Sequence, residues 1–473
     1  MLKSQKRYQL KKKDTSFQIF SFQNLLRAYY RCRETKRKSI SAINFEINFE
    51  KELLKMKLHL TNRIYRLGPY VCFAISDPKI REVWAAEFRD RILHHLLVGL
   101  LEPIWEKKFI FHSYACRPKK GTHKAINHIK NKLKEFENKS LAKNNQYTFY
   151  YLQIDVRNFF MSIDKNILYR LIKKQLTRQN IINKIIDRSE WNRSTTPFKS
   201  DQLFIKKQTL SDILYLVKLI IFENPTKNYI TRGDQKLLKS IPQEKSLLHN
   251  PQNKGLPIGN YTSQFFANVY LNEVDQFVKH QLKCHYYFRY MDDFLLLHPN
   301  KKLLLKWQKL IAQFLERKLK LHLHPKKQIL QSISHGINFL GYIIKPDYIL
   351  SRKRIVSNLR KKLHYFNKLI DENASPIPEE VKLQFQTKLF LPEKNHLLIF
   401  TTAKQAQATI NSYYGHFKHA NCFKLRKSLY YKYFKELKNY LKPANKNFSH
   451  FIITDSIKNY LTSDPPNRKL GGK

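Results

Sequence analysis

The chain reads as an α+β fold, with short strands gathered around two acidic sites and amphipathic helices before and after them. Three observations predict this. Tyr290-Met291-Asp292-Asp293 lies between Phe288-Arg289 and the apolar run Phe294 to Leu297, which reads as a strand, a tight turn and a second strand. Tyr151-Leu152-Gln153-Ile154 is another apolar strand, closed by Asp155. Stretches such as Trp307 to Leu321 repeat their apolar residues at helical spacing.

The elements follow in order. Residues 1–60 form a basic, mostly helical region in which Leu25, Leu26, Tyr29 and Tyr30 make an apolar stripe beside Arg27, Arg31 and Arg33. Tyr70 to Ile75 and Glu82 to Ala86 are strands joined by the turn Ser76-Asp77-Pro78-Lys79, and a helix follows from Asp90 to Leu101. Phe111 to Gly121 is a basic loop, with Thr122 as N-cap of the next helix. After the Asp155 strand, Ser162-Ile163-Asp164 opens a helix through Ile172. Residues 190–254 are polar, basic and Pro-containing around one apolar helix at Ile213 to Ile221, and are expected to form an elaborated loop outside the central core.

Gly255-Leu256-Pro257-Ile258-Gly259 carries two glycines suited to close approach of the backbone to a ligand. Ser263 to Val274 is helical and Leu282 to Tyr290 returns to the sheet. Leu323, Pro325, Lys326 and Lys327 lead into a short strand, followed by Gly336 to Tyr342. Helices resume at Arg352, break at Pro376 and Pro378, and resume again over Ala403 to Tyr413. Residues 441–473 are expected to be a short helix with a frayed tail.

Charge narrows the partners. Of 473 residues, 88 are Lys or Arg and 36 Asp or Glu, a formal net charge of +52 spread over the whole length. Such an excess repels itself unless a polyanion neutralises it, so the expected partner is a long nucleic acid in an extended channel rather than a small phosphate ligand. No apolar run reaches the roughly 18 residues of a membrane span, and no signal-peptide core follows the basic N-terminus, so a cytoplasmic protein without a membrane partner is expected. Cys32, Cys72, Cys116, Cys284 and Cys422 are widely spaced without CxxC pairs, which points to buried thiols rather than disulfides or a zinc module. The scattered His residues, including His94-His95, are expected in structural or surface positions.

The acidic sites carry the chemistry. Alternation along a strand sends neighbouring side chains to opposite faces, so a turn is the cheapest way to bring one of Asp292 and Asp293 to a metal site shared with Asp155. Alone, an Asp-Asp hairpin is commonly a solvated turn, and Asp155 is equally suited to capping a helix. Together, each preceded by an apolar strand in a chain short of acid, the three carboxylates suit two divalent ions that activate a primer hydroxyl and stabilise the leaving pyrophosphate. The class of reaction this suggests is nucleotide polymerisation. In the basic loop, Arg117, Lys119 and Lys120 are placed to touch template or triphosphate, or simply to be solvated.

From roughly Leu25 to Tyr430, outside 190–254, these motifs resemble those of reverse transcriptases. The resemblance implies a right-hand polymerase: fingers at 61–150, a palm of antiparallel sheet plus helices at 151–350, a helical thumb at 351–440 and a tail at 441–473. It places two Mg2+ ions (or Mn2+) on Asp155, Asp292 and Asp293. It also implies that Phe160 is the aromatic gate against the ribonucleotide 2′-hydroxyl, so that the product is DNA, and that Lys79, Arg89 and Arg91 meet template and incoming dNTP. Gly341 and Tyr342 resemble the segment that grips the primer terminus, and Arg352, Arg354, Arg360 and Lys361 stud a thumb that tracks the duplex backbone.

One departure narrows the resemblance. Where most reverse transcriptases carry Gln-Gly and then Ser-Pro, this chain has Ile258-Gly259-Asn260-Tyr261-Thr262-Ser263-Gln264, the pattern of diversity-generating retroelement enzymes. That likeness implies copying of a template RNA with errors at adenines to rewrite a target gene, aided by a small basic accessory protein. Defence-associated bacterial reverse transcriptases, group II intron reverse transcriptases with maturase function, and an RNA-binding scaffold are the alternatives. The partners in the polymerase readings are template RNA, a DNA or RNA primer, cDNA and dNTPs.

Overall fold

The computed structural model describes residues 18–454 apart from 35, 38, 77–78, 142–147, 179–180, 183–184, 186–198 and 375–390. The Asp77-Pro78 turn, the Pro376 and Pro378 break, and the expected frayed tail beyond residue 454 lie outside the described residues. The chain divides into two compact units: one runs to Gly121 and resumes over Leu152–Leu330, and the other takes Thr122–Tyr151 and Gln331 onward. The fold is mixed α+β, with several helices and small sheets.

In the first unit, helix Phe22–Arg33 buries Leu25, Ala28, Tyr29 and Cys32, residues spaced so that they share one face. Tyr30, expected in that stripe, is exposed. Ser21 caps this helix by accepting from the Asn24 N–H. Tyr29 stacks on Phe49 and meets the edge of Phe88, which opens helix Phe88–Trp105. That helix extends beyond the Asp90 to Leu101 expected for it, because apolar residues continue at both ends and Glu87 offers no side-chain cap to mark its start. Helix Tyr261–Gln276 is buried on nearly every side and runs through the interior of this unit.

Two sheets flank these helices. Strands β1 (Tyr70–Ile75) and β2 (Arg81–Ala85) pair antiparallel, as two short strands joined by a turn predict. The four-stranded sheet has the order β5-β6-β3-β7, with β3 at Tyr150–Val156, β5 at Tyr286–Tyr290, β6 at Asp293–His298 and β7 at Leu323–Ser332. Helix Lys301–Leu319 covers it through Leu304, Trp307, Ile311 and Leu315.

The expectation that 190–254 lies outside the core fails for its second half. Strand β4 (Tyr229–Thr231) adds parallel to β1, and buried Leu247 packs with Tyr70, Cys72, Trp84 and Met161. Buried Glu82 fastens the segment, accepting from Trp84 Nε1, Ser246 Oγ and the Leu247 N–H. A carboxylate at that depth needs such donors, and the loop supplies two of them.

The second unit holds the sheet β10-β9-β8 (Ile349–Ser351, Tyr342–Ile344 and Ile337–Phe339) and helices Thr122–Leu141, Lys353–Ala374, Leu391–Phe417 and Phe423–Tyr433. Thr122 is the first helical residue rather than a cap. Leu359, Leu363, Ala406, Ile410, Tyr414 and Leu429 form its core. The helix expected after residue 441 is instead an antiparallel pair, β11 (Leu441–Pro443) with β12 (Phe451–Ile453). Pro443 has no N–H for a helix, and Leu441, Phe451 and Ile453 alternate so that all three face this core.

Among the described residues no helix is long and apolar enough to cross a membrane. The cysteines are free thiols, and Cys116 departs from the expected burial: it is exposed, in a left-handed turn of the basic loop.

Candidate active site

Strand β3 delivers Asp155 at its C-terminal end, and the β5-β6 hairpin delivers Asp292 and Asp293 at its turn. Tyr290 and Asp293 are the last paired residues, so Met291 and Asp292 form a two-residue turn in which Met291 takes φ 52°. The unbranched Met tolerates this left-handed conformation better than a β-branched residue would. The Val156 N–H donates to the Asp292 carbonyl at 3.3 Å, fixing the end of β3 to the turn.

The three carboxylates act on one another. Burial pushes Asp292 up to about 7, with the charges of Asp155 and Asp293 adding to the effect. Burial and Asp155 raise Asp293 to about 6, while Lys327 and Lys79 oppose the rise. Three acids crowded in a partly buried space favour a proton or a cation among them. Part of that need is met by Lys327 on β7, which ion-pairs with Asp155. Among the described residues, no group of three or more His, Cys, Asp or Glu side chains is arranged to hold a metal ion. The chemistry of the donor set fits a divalent cation, and a lysine is the cation in place.

Lys327 was not singled out as a site residue by the sequence, where it stood in a basic, His-rich stretch without an acidic partner nearby. Only the pairing of β3 with β7 brings it to Asp155. Lys79, by contrast, is an exposed cation whose charge reaches Asp293 from the β1-β2 turn, where the sequence put it.

Other expected residues have internal partners. Arg89 lies over the Tyr65 ring, donates to the Arg66 carbonyl and stands 3.3 Å from Glu87. The Arg91 Nε donates to the Ala86 carbonyl. Arg117, with a side chain only 4% exposed, forks onto Glu106 and also donates to the carbonyls of Ile110 and Ser113, so it shapes the basic loop. Lys119 is exposed, and Lys120 caps the Phe111 carbonyl and lies over the Phe111 ring.

Phe160 is half-buried in the short helix Phe159–Ser162, reached through Asn158 in the left-handed region, and its carbonyl accepts from the Leu256 N–H. The segment 253–258 thus returns alongside 160–165. Gly259 does provide a close approach, but to protein: an added Cβ would meet Val83 at 2.7 Å and the Trp84 carbonyl at 3.3 Å. The Ile258 carbonyl accepts from the Trp84 N–H, and its side chain packs on the cluster around Trp84. Gln264 is half-buried in the first turn of helix Tyr261–Gln276.

Gly341, Tyr342, Arg352, Arg354, Arg360 and Lys361 belong to the second unit. Leu340 and Gly341, at φ 51° and 89°, make the β8-β9 turn, a pairing of signs typical of tight hairpins. Tyr342 is buried, stacks on His416 and donates to its carbonyl. Arg354, Arg360 and Lys361 are exposed on helix Lys353–Ala374 or its start, with Arg360 over the Tyr433 ring.

Residues 215–344 match the family model described as reverse transcriptase (RNA-dependent DNA polymerase). The group II intron-encoded protein LtrA of Lactococcus lactis subsp. cremoris is 26% identical over 299 residues, covering 57% of this chain and 45% of LtrA. The nuclear intron maturase 1 of Arabidopsis thaliana is 22% identical over 339 residues, covering 60% of this chain and 44% of that protein. The matches thus span less than half the length of these relatives. A telomerase from Candida albicans aligns structurally with TM-score 0.38 at 10% identity, covering 77% of this chain and 57% of that one. The chain carries a reverse-transcriptase-like catalytic domain related to group II intron-encoded proteins of the LtrA type.

Proposed function

We propose that this protein is an RNA-directed DNA polymerase of the group II intron-encoded kind, with Asp155, Asp292 and Asp293 as its catalytic carboxylates. The observation that carries the proposal is the convergence of three carboxylates on one strand end and one hairpin turn, where burial and the charge of Asp155 raise the proton affinity of Asp292 and Asp293. The three carboxylates would hold Mg2+ ions, or Mn2+, which supply activation of the primer hydroxyl and neutralise charge on the departing pyrophosphate. Lys327 balances the acids before substrate arrives, and Lys79 adds positive charge where a triphosphate needs it. Phe160 is the candidate gate against ribonucleotides. Arg89, Arg91 and Lys119 are candidates for the template and nucleotide side, and the cations from Arg352 to Lys361 for the duplex. The partners proposed are template RNA, primer, cDNA and dNTPs.

Two of the curated relatives, LtrA and the Arabidopsis thaliana protein, are named as intron-encoded or as an intron maturase, which favours that setting over diversification of a target gene. Ile258, on which the diversification reading rests, has a packing role that accounts for an apolar residue there. Sequencing cDNA copied from a defined RNA by the purified protein tests both levels of the proposal. DNA products without an excess of substitutions at template adenines are expected. Products made only from ribonucleotides would overturn polymerisation of DNA, and adenine-concentrated errors would restore diversification.

A further inference from the structure

Beneath the Asp292 turn lies a polar cluster that the proposed mechanism does not use. Arg289 and Asp275 are both 0% exposed and joined by a forked ion pair: Arg289 Nε donates to both carboxylate oxygens at 2.8 and 2.9 Å, and Nη2 donates to Oδ2 at 2.7 Å. Asp275 also accepts from the Tyr287 hydroxyl at 2.7 Å. The remaining arm of the guanidinium, Nη1, donates to Asn268 Oδ1 at 3.0 Å and to the Met291 carbonyl at 3.1 Å. Asn268 is fixed in turn by donating to the Ala115 carbonyl. The Arg289 backbone is held on both sides, its N–H donating to the His112 carbonyl and its carbonyl accepting from the Tyr114 N–H.

A buried ion pair is an expensive way to stabilise a core, since apolar side chains of similar volume commonly do as well. What an apolar residue cannot do is hold a carbonyl in place. Within the turn, the hydrogen bond from this pair goes to the carbonyl of Met291, whose left-handed backbone immediately precedes Asp292. Asp275 and Asn268 come from a helix buried on nearly every side, so the guanidinium transmits the position of that helix to the turn.

We propose that Arg289, oriented by Asp275 and Asn268, is a positioning residue that sets the Met291 carbonyl and thereby presents Asp292 and Asp293 to Asp155. The proposal rests on the polymerase reading for its catalytic consequence but not for its structural one. Lysine at 289 keeps the charge and loses the fork, so one ammonium must choose between Asp275 and the Met291 carbonyl. Misplacing a reacting group by about 1 Å costs on the order of 100-fold in rate.

The test compares Arg289→Lys with Tyr287→Phe in the full chain. Tyr287→Phe removes one hydrogen bond to Asp275 from the same buried cluster and leaves the reach to Met291 intact, so it measures loosening of the core alone. Single-turnover extension of a primed RNA and amide hydrogen exchange are followed in parallel. Arg289→Lys is expected to lower the maximal rate about 10- to 100-fold, with template affinity and half-saturating dNTP within about threefold of wild type. It should also speed exchange at the amides of Met291 to Asp293 while helix Tyr261–Gln276 stays protected. Tyr287→Phe should leave both readouts within about threefold. A wild-type rate and wild-type turn exchange in Arg289→Lys would overturn the proposal. So would equal losses in both variants that follow a general loss of protection along that helix. If the wild-type protein extends no primer, the polymerase reading fails, and the contrast in turn exchange still decides whether Arg289 positions the turn.

Discussion

Lys327 and Asp155 form an ion pair at the edge of the carboxylate cluster, joining β7 to the end of β3. The same ammonium lowers the proton affinity of Asp292 and Asp293, against the burial and the neighbouring Asp155 charge that raise it. The charge balance of the site therefore depends on this lysine.

Lys327→Ala should move the acid limb of the pH–rate profile upward by about 0.5 to 1 unit, because both aspartates lose a cation that favours their ionised form. Template affinity should change little, as one lysine is a small part of a chain with net charge +52. An unmoved acid limb in an enzyme that still turns over would separate Lys327 from the electrostatics of the aspartates.

The site is also a stability liability with a defined sign. Asp292, near 7 in the fold against roughly 3.9 in an unfolded chain, binds its proton more tightly when folded. The stability this confers is complete below the unfolded value and is lost as pH rises through about 4 to 7. Asp292→Asn, which stays neutral, should gain roughly 1–3 kcal/mol over wild type at pH 8 and nothing at pH 4. Thermal melts at the two pH values, without divalent metal, check this. A variant equally stable to wild type at pH 8 would contradict the raised value.

His94 gives the opposite slope. It is fully buried on helix Phe88–Trp105, both ring nitrogens lack a partner among the described residues, and burial holds its proton affinity down at about 3. The unfolded chain takes up the proton below about 6.5 while the fold does not, so stability falls as pH drops from about 6.5 toward 3. His94→Leu should remove that slope and be more stable than wild type by about 2 kcal/mol at pH 5. Parallel denaturation curves for the two proteins across pH 5 to 7 would refute this.

Much of this was legible because it is local. Strand β1 begins and ends with the apolar run Tyr70 to Ile75, and the Asp-Asp hairpin and the Asp155 strand are short-range patterns of apolar residues with a polar stop. Strand β4 was not legible: its three residues are exposed and only its long-range partner β1 makes it a strand. The β11-β12 pair, where a short helix is expected after residue 441, is hidden for a related reason: three-residue strands are too short to show a period, and only their pairing turns Leu441, Phe451 and Ile453 to the core. Lys327 and the Arg289–Asp275 pair were invisible as site features because a charged side chain carries no mark of the partner that folding brings to it.

The exposed cations of helix Lys353–Ala374 should act on processivity before chemistry. Arg360→Glu with Lys361→Glu is expected to shorten cDNA at moderate salt while single-nucleotide addition stays within about twofold, and to flatten the fall of affinity with salt by about two phosphates' worth of released counterions. Loss of single-nucleotide addition ahead of product length would place these residues nearer the chemistry.

The central claim is that Asp155, Asp292 and Asp293 perform templated DNA synthesis together. Extension of a primed RNA by dNTPs and Mg2+ should be abolished by Asp155→Ala and by Asp292→Ala, each reducing the rate at least about 1000-fold. Both variants should bind the primed template within about threefold of wild type, because affinity comes from the distributed positive charge. Extension by either purified variant at the wild-type rate would contradict the account.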